Sequence, residues 1–415
     1  MRKSTRLLTV IVVMGILCLI GNGISLRPGD GLAWAAEPEP VRLALITSLS
    51  GDSTENGTLE RAGIELAVKR INEAGGIKAL GGAKIELIIE DYTSNTENTK
   101  SVVERVLSRG DIIAGVGGGT SGLVLPTLPV WESHEVPLVT HNNADNLSSQ
   151  GYEYVFSIHC RASSVGQVSV EFIDWLKNKI GIKVNNAALI FENSAKGMNS
   201  ANGARATIKR MGMNLVFDDS HPNTLTDATA LVTSIKASGA DVCFIYTIYQ
   251  VCKLLFTAMQ NLNYNPVTIT GNSLPSFYSA LGESMNGVLV SANWFATNKN
   301  LVDNPAKKAI TDEFEKTYGY FMEQCAGGAY SAVMVIAQAL EQTGSRDKKA
   351  LRDAIAAGTF DTLLAGDKIT LNATGANDRS TAVIGQWQNG KLITIYPEFM
   401  ASGEYIDPAV LRKTK

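Results

Sequence analysis

The segment from Val41 to Asp91 constrains this chain most. VRLALITSLSG is an apolar run closing on small polar residues, TLERAGIELAVKRINEAGGIK carries a helical period, and KIELIIEDY is a second apolar run. In the middle stretch Ile64, Ala67, Val68 and Ile71 recur at i, i+3, i+4 and i+7, which makes one buried helix face. Gly75-Gly76 then supplies the stop. Two apolar strands joined through a helix run parallel, with the helix covering the sheet.

The same rhythm continues. Strands are expected at 42–47, 85–90, 112–116 and 137–140, and helices at 59–73, 97–108 and 122–133. It restarts with strands at 187–191, 215–217, 242–246 and 267–270, and helices at 197–210, 227–237 and 251–260. Gln388-Asn389-Gly390, between apolar runs at 382–387 and 391–395, reads as a hairpin turn. A chain of 415 residues exceeds one ordinary domain, so two α/β lobes are expected.

Residues 1–35 read as an export leader: Arg2, Lys3 and Arg6, an apolar core at 7–20, and a small-x-small site at Ala33-Trp34-Ala35, with Ala36 as the near alternative. The core is short for a membrane span. Cys18 follows Leu17, which is not the small residue a lipid-accepting cysteine needs. With 37 basic and 40 acidic residues the chain has a net charge of −3, and the leader is its basic part. The remainder is acidic and offers no field for nucleic acid. Cys160, Cys243, Cys252 and Cys325 match no zinc spacing and read as packed thiols, with a Cys243–Cys252 bridge left open.

Gly117-Gly118-Gly119-Thr120-Ser121-Gly122 has the G-x-G-x-x-G form, after an expected strand and before an expected helix. It is not on the first strand-to-helix turn, and no strand-end acid follows at the required distance, so a dinucleotide fits poorly. No lysine precedes Thr120, which excludes a P-loop. Unpaired amides at a helix start favour an anion, and the Ser121 hydroxyl adds a donor. The bland alternative is a glycine-rich packing turn. Thr140-His141-Asn142-Asn143-Ala144-Asp145-Asn146 is a dense polar run at the carboxyl end of the next strand, where parallel sheets carry ligand loops. The four histidines, His134, His141, His159 and His221, form no metal or nucleophile motif, so neither catalysis nor a cofactor is expected.

These blocks resemble the type I periplasmic solute-binding proteins of ABC transporters, in the branched-chain amino acid binding group. The likeness rests on RAGIELAVKRINEAGGIK, Ile88–Asp91, the 115–121 loop, PVWESHEVPL and FDTLLAG. It implies two Rossmann-like lobes with parallel sheets joined by three crossover strands near 160, 296 and 365. The lobes are then 41–160 plus 297–364 and 161–296 plus 365–400. It further implies a monomer in the periplasm that binds a small molecule in the inter-lobe cleft and passes it to a membrane permease. The residues it points to are Asn56, Thr120, Ser121, Gly122, Asn142, Ala144, Lys196, Tyr249 and Ser273. Ser121 and Gly122 would hold a carboxylate. Ser273 stands where an ammonium-binding acid is usual and Lys196 where a tyrosine is, which points to an anion without an α-amino group or to a polyanionic one. A sensory module for a chemoreceptor or kinase is the alternative reading.

Overall fold

The computed structural model describes residues 37–412; the expected leader, with its cleavage and lipidation sites, lies outside them. The first lobe runs β1 (Val41–Thr47), α1 (Thr54–Glu73), β2 (Ile85–Asp91), α2 (Thr96–Leu107), β3 (Ile112–Val116), α3 (Ser121–Val124), α4 (Leu128–Ser133), β4 (Leu138–Thr140) and β5 (Val155–Ser157). The second continues with α5 (Ala162–Ile180), β6 (Asn186–Glu192), α6 (Ala195–Met211), β7 (Asn214–His221), α7 (Thr229–Ala237), β8 (Val242–Tyr246), α8 (Tyr249–Asn261), β9 (Val267–Thr270), α9 (Pro275–Leu281) and β10 (Leu289–Ala292). The chain then makes α10 (Lys299–Val302), α11 (Pro305–Tyr318), α12 (Gln324–Thr343), α13 (Lys348–Ala357), β11 (Thr359–Asp361) and β12 (Lys368–Thr370). It closes with β13 (Val383–Gln388), β14 (Lys391–Tyr396) and α14 (Pro408–Leu411).

Five strands form one sheet in the order β2-β1-β3-β4-β5, all parallel. Seven form the other, β14-β13-β10-β9-β8-β6-β7, parallel from β10 to β7 and antiparallel at the β13–β14 hairpin. β1 and β8 are almost wholly buried, as apolar strands covered on both faces must be. The edge strand β7 is largely exposed.

Two helix crossings set where the site residues stand. A Cβ on Gly63 of α1 would fall 2.0 Å from the Ala326 carbonyl oxygen of α12, so only glycine permits that approach. Gly166 of α5 and Gly203 of α6 meet the facing backbones just as closely, at 1.9 and 2.0 Å. α1, α6 and α12 are thereby held close to their neighbours, and each begins at the gap between the lobes.

The first two passages between lobes follow β5 and β10, and the Cys160 thiol donates to Asn293 Oδ1 between them at 3.0 Å. Around the expected third passage the chain touches both lobes, with Ala365 packed in the second lobe's core. Phe360 and Ile369, paired across β11 and β12, are buried in the first lobe's core. Ala376 still bridges to Ser157, Asn377 Nδ2 donates to the Ile158 carbonyl at 2.8 Å, and the second sheet is joined only at Val383.

The expected helix at 122–133 is broken. Pro126 and Pro129 lack an N–H, and a 3-10 turn at Leu125–Thr127 separates α3 from α4. The described cysteines are all free thiols, including Cys243 and Cys252. No helix among the described residues is long and apolar enough to cross a membrane.

Candidate functional site

Between the lobes lies a cavity of about 730 Å³, counting its opening to solvent. It is built at the carboxyl ends of parallel strands from both sheets, the position such sheets reserve for ligands. β3 and β4 bring Thr120, Ser121 and Asn142; β6, β8 and β10 bring Glu192, Thr247 and Asn293. α1 adds Asn56, α6 Lys196, and α12 Gln324 and Cys325. The lobes also touch at the mouth, where Gln250 Nε2 donates to the Asp52 carbonyl at 2.7 Å and the Ser276 hydroxyl donates to Glu55.

On the first-lobe side Gly117, Gly118 and Gly119 all have positive φ, at 97°, 123° and 68°. The loop curls around a carboxylate of its own chain, with the Gly119 N–H donating to Glu60 Oε2 at 3.0 Å. That amide is unavailable to a phosphate. The N–H groups of Ser121 and Gly122 have no hydrogen-bond partner among the described residues. The four-residue α3 gives them little macrodipole, so they act as directed donors rather than as a charged helix end. Ser121 Oγ accepts the Ala144 N–H at 3.3 Å, which leaves the hydroxyl proton to donate elsewhere.

Beneath this wall are buried titratable groups. Glu60 Oε1 lies 3.3 Å from His141 Nδ1, and His141 meets the His159 ring edge-on at 5.5 Å. Burial pushes Glu60 up to about 7. Burial first and the Lys196 charge second push His141 down to about 4. Burial, then His141 and Lys196, holds His159 well below its ordinary range. Both rings are therefore neutral hydrogen-bonding groups at pH 7.

On the second-lobe side Lys196 is exposed, lines both the cavity and its mouth, and has no ion pair or hydrogen bond among the described residues. Glu192 is buried. Its Oε1 accepts the Ser194 hydroxyl at 2.6 Å, while Oε2 has no partner.

Of the residues singled out by sequence, the cavity gathers Asn56, Thr120, Ser121, Asn142 and Lys196. Gly122 and Tyr249 lie at its mouth, Tyr249 packed edge-on against Phe277 at 4.8 Å. Two fall elsewhere. Ala144 is 2% exposed, with its methyl in the first lobe's core, and acts through its N–H on Ser121. Ser273 donates to Glu323, the N-cap residue of α12, and lines a separate hollow. The inference drawn from a missing acid at Ser273 loses its ground, because Glu192 supplies a carboxylate to the cavity from another strand.

Glu192, Thr247, Asn293 and Gln324 were missed. Glu192 and Thr247 could have been found, since each ends or follows a strand that was expected. Asn293 lies in an inter-lobe passage and Gln324 starts a helix that was not anticipated. Nothing local marks either one.

Known proteins share this architecture. Leu/Ile/Val-binding protein homolog 7 of Brucella abortus is 27% identical over 382 residues, spanning 88% of this chain and 93% of the relative. A leucine-binding protein from Thermotoga maritima superposes with a TM-score of 0.76 at 19% identity, over 86% of this chain and 97% of the other. A branched-chain amino acid transporter substrate-binding protein from Streptococcus pneumoniae, in complex with isoleucine, gives 0.76 at 22%, over 86% and 100%. A solute-binding protein of an ABC transporter from Rhodopseudomonas palustris, in complex with 3,4-dihydroxybenzoic acid, gives 0.74 at 16%, over 89% and 98%. The family model described as periplasmic binding protein matches residues 40–391, and the chain belongs to that family of solute binders.

Proposed function

We propose that this chain is the periplasmic substrate-binding component of an ABC transporter. It captures a small carboxylate or amino-acid-like solute between its lobes and delivers it, as a monomer, to a membrane permease. The observation that carries this reading is the cavity itself. Unpaired amides at Ser121 and Gly122 stand on one lobe and the unpaired ammonium of Lys196 on the other. An anion bridging the two would bind the closed form better than the open one, and only such differential affinity drives closure. Isoleucine and 3,4-dihydroxybenzoic acid, bound by two structural neighbours, are both carboxylates.

In this reading Asn56, Thr120, Ser121, Asn142 and Lys196 touch the ligand, while Gly122 and Tyr249 serve at the mouth. Glu192 gives an ammonium group the partner it needs once out of water, so a zwitterion is admitted. The lobes would comprise residues 41–160 with 297–376, and 161–296 with 383–400.

Calorimetry with amino acids and matched non-amino carboxylates, paired with small-angle scattering, tests this. The expected result is binding accompanied by a fall in radius of gyration. A ligand bound with no compaction would overturn the closure mechanism.

A further inference from the structure

One ring links the buried carboxylate behind the glycine loop to the cavity. Glu60 is fully buried and spends Oε2 on the Gly119 N–H at 3.0 Å. Its Oε1 lies 3.3 Å from His141 Nδ1, and neither atom has another partner. His141 lines the cavity. Only its Nδ1 is enclosed; Nε2 keeps accessible surface and makes no hydrogen bond among the described residues, so that nitrogen is the ring edge turned to the ligand space.

The position of one proton decides what this edge presents. With Glu60 ionised, His141 carries its hydrogen on Nδ1, facing Oε1, and Nε2 shows an anion only a lone pair. With Glu60 protonated, Oε1–H donates to Nδ1, the ring hydrogen sits on Nε2, and Nε2–H donates into the cavity. We propose that Glu60 and His141 form a proton-linked dyad that adds His141 Nε2–H to the donors gripping the solute's carboxylate. The proposal rests on the solute-binding reading above and adds a ligand-touching residue and a positioning residue to that same site. Binding then draws a proton from solvent, which ends on Glu60 while the ring stays neutral. The carboxyl takes it rather than the ring, because burial raises Glu60 to about 7, whereas burial and then the Lys196 charge lower His141 to about 4. His159 after β5, Tyr92 after β2 and Cys325 of α12 also face the pair, and Glu192 and Lys196 face it across the cavity. Burial keeps His159 well below its ordinary range and Tyr92 and Cys325 above theirs, so these three hold their protonation through neutrality.

Isoleucine and benzoate serve as probes, since neither carboxylate titrates near pH 7. In calorimetry of the ligand-stripped protein, affinity should rise about tenfold from pH 8.5 to 5.5, with proton uptake seen in buffers of different ionisation enthalpy. Glu60→Gln copies the protonated carboxyl, its oxygen meeting the Gly119 N–H and its NH₂ facing His141 Nδ1. It should bind at pH 8.5 about as tightly as the native protein at pH 5.5, without proton uptake. In ligand-free protein, ¹⁵N NMR of labelled histidines, with His141 assigned through His141→Phe, should show that ring passing from Nε2–H to Nδ1–H as pH rises through about 7. A native affinity flat with pH, a pH dependence that survives Glu60→Gln, one His141 tautomer throughout, or failure of both probes to bind would each overturn the proposal. Compaction on a carboxylate whose affinity ignores pH leaves the transporter reading standing, whereas no compaction with any carboxylate removes that reading too.

Discussion

The two sides of the cleft differ in what they offer a ligand. On the first lobe several polar groups are engaged within the protein, Gly119 with Glu60, Ser121 with Ala144 and Asn142 with Thr140 at 3.0 Å, while the ring atoms His141 Nδ1 and His159 Nε2 keep no partner. A pair of backbone amides, at Ser121 and Gly122, is also left for a ligand. On the second lobe Glu192 and Thr247 keep buried polar atoms without partners, and Lys196 keeps an unpaired ammonium. A wall that offers backbone donors can grip any carboxylate. A wall that offers unpaired side chains selects, because those groups are costly to desolvate unless the right solute meets them.

The largest blow to this contrast comes from the engaged wall. Gly118 has φ 123°, and a Cβ there would lie 2.8 Å from Val124 Cγ2. Gly118→Ala is expected to destabilise the protein by about 4 kcal/mol, combining left-handed strain with overpacking. Urea unfolding measures it, and a loss below about 1 kcal/mol would show that the wall is soft.

Next is the buried pair. Glu60, raised from 4.5 to about 7, favours folding most below pH 4.5, and that advantage is lost as pH rises to 7. His141, lowered from 6.5 to about 4, favours folding above pH 6.5, and that is lost as pH falls to 4. The slopes oppose each other between pH 4.5 and 6.5, each worth about 3 kcal/mol over its full span. Glu60→Gln leaves His141 unopposed, so its loss of stability between pH 6.5 and 4.5 should exceed that of the native protein by about 3 kcal/mol. Parallel stability profiles for the two proteins would refute the compensation.

A smaller effect belongs to Ser121→Ala. It removes a donor and the acceptor for Ala144, and should weaken carboxylate binding about tenfold by calorimetry while costing about 1 kcal/mol of stability. The smallest stability change belongs to Lys196→Gln. It should leave stability within about 0.5 kcal/mol, because the side chain is exposed and unpaired. Carboxylate affinity should drop severalfold and lose part of its salt dependence. If Lys196→Gln binds carboxylates as well as the native protein at low salt, that lysine is only a solvated rim residue.

Much of the scaffold was legible locally. Strands β1, β3 and β8 were readable because central parallel strands are continuous apolar runs, and α1 because its buried face keeps a helical period. The break between α3 and α4 was visible in Pro126 and Pro129 but was read through. Helices α5 and α12 went unread. α12 is buried along most of its length and shows no clean amphipathic stripe. Among site residues, those on strand-end loops could be reached by rule, whereas Ser273 and Ala144 faced directions that spacing does not reveal.

Sequence by itself determined the repeating strand and helix order, the glycine loop at 117–119 and the polar turns after the strands. These are local matters of backbone sterics and side-chain period. Only the tertiary structure decided which of those turns face one cavity, that Glu60 takes the Gly119 amide, and that Glu192 lines the cleft while Ser273 lies in a separate hollow. Such choices depend on contacts between residues 50 or more positions apart, and no local pattern encodes the angle at which two lobes meet.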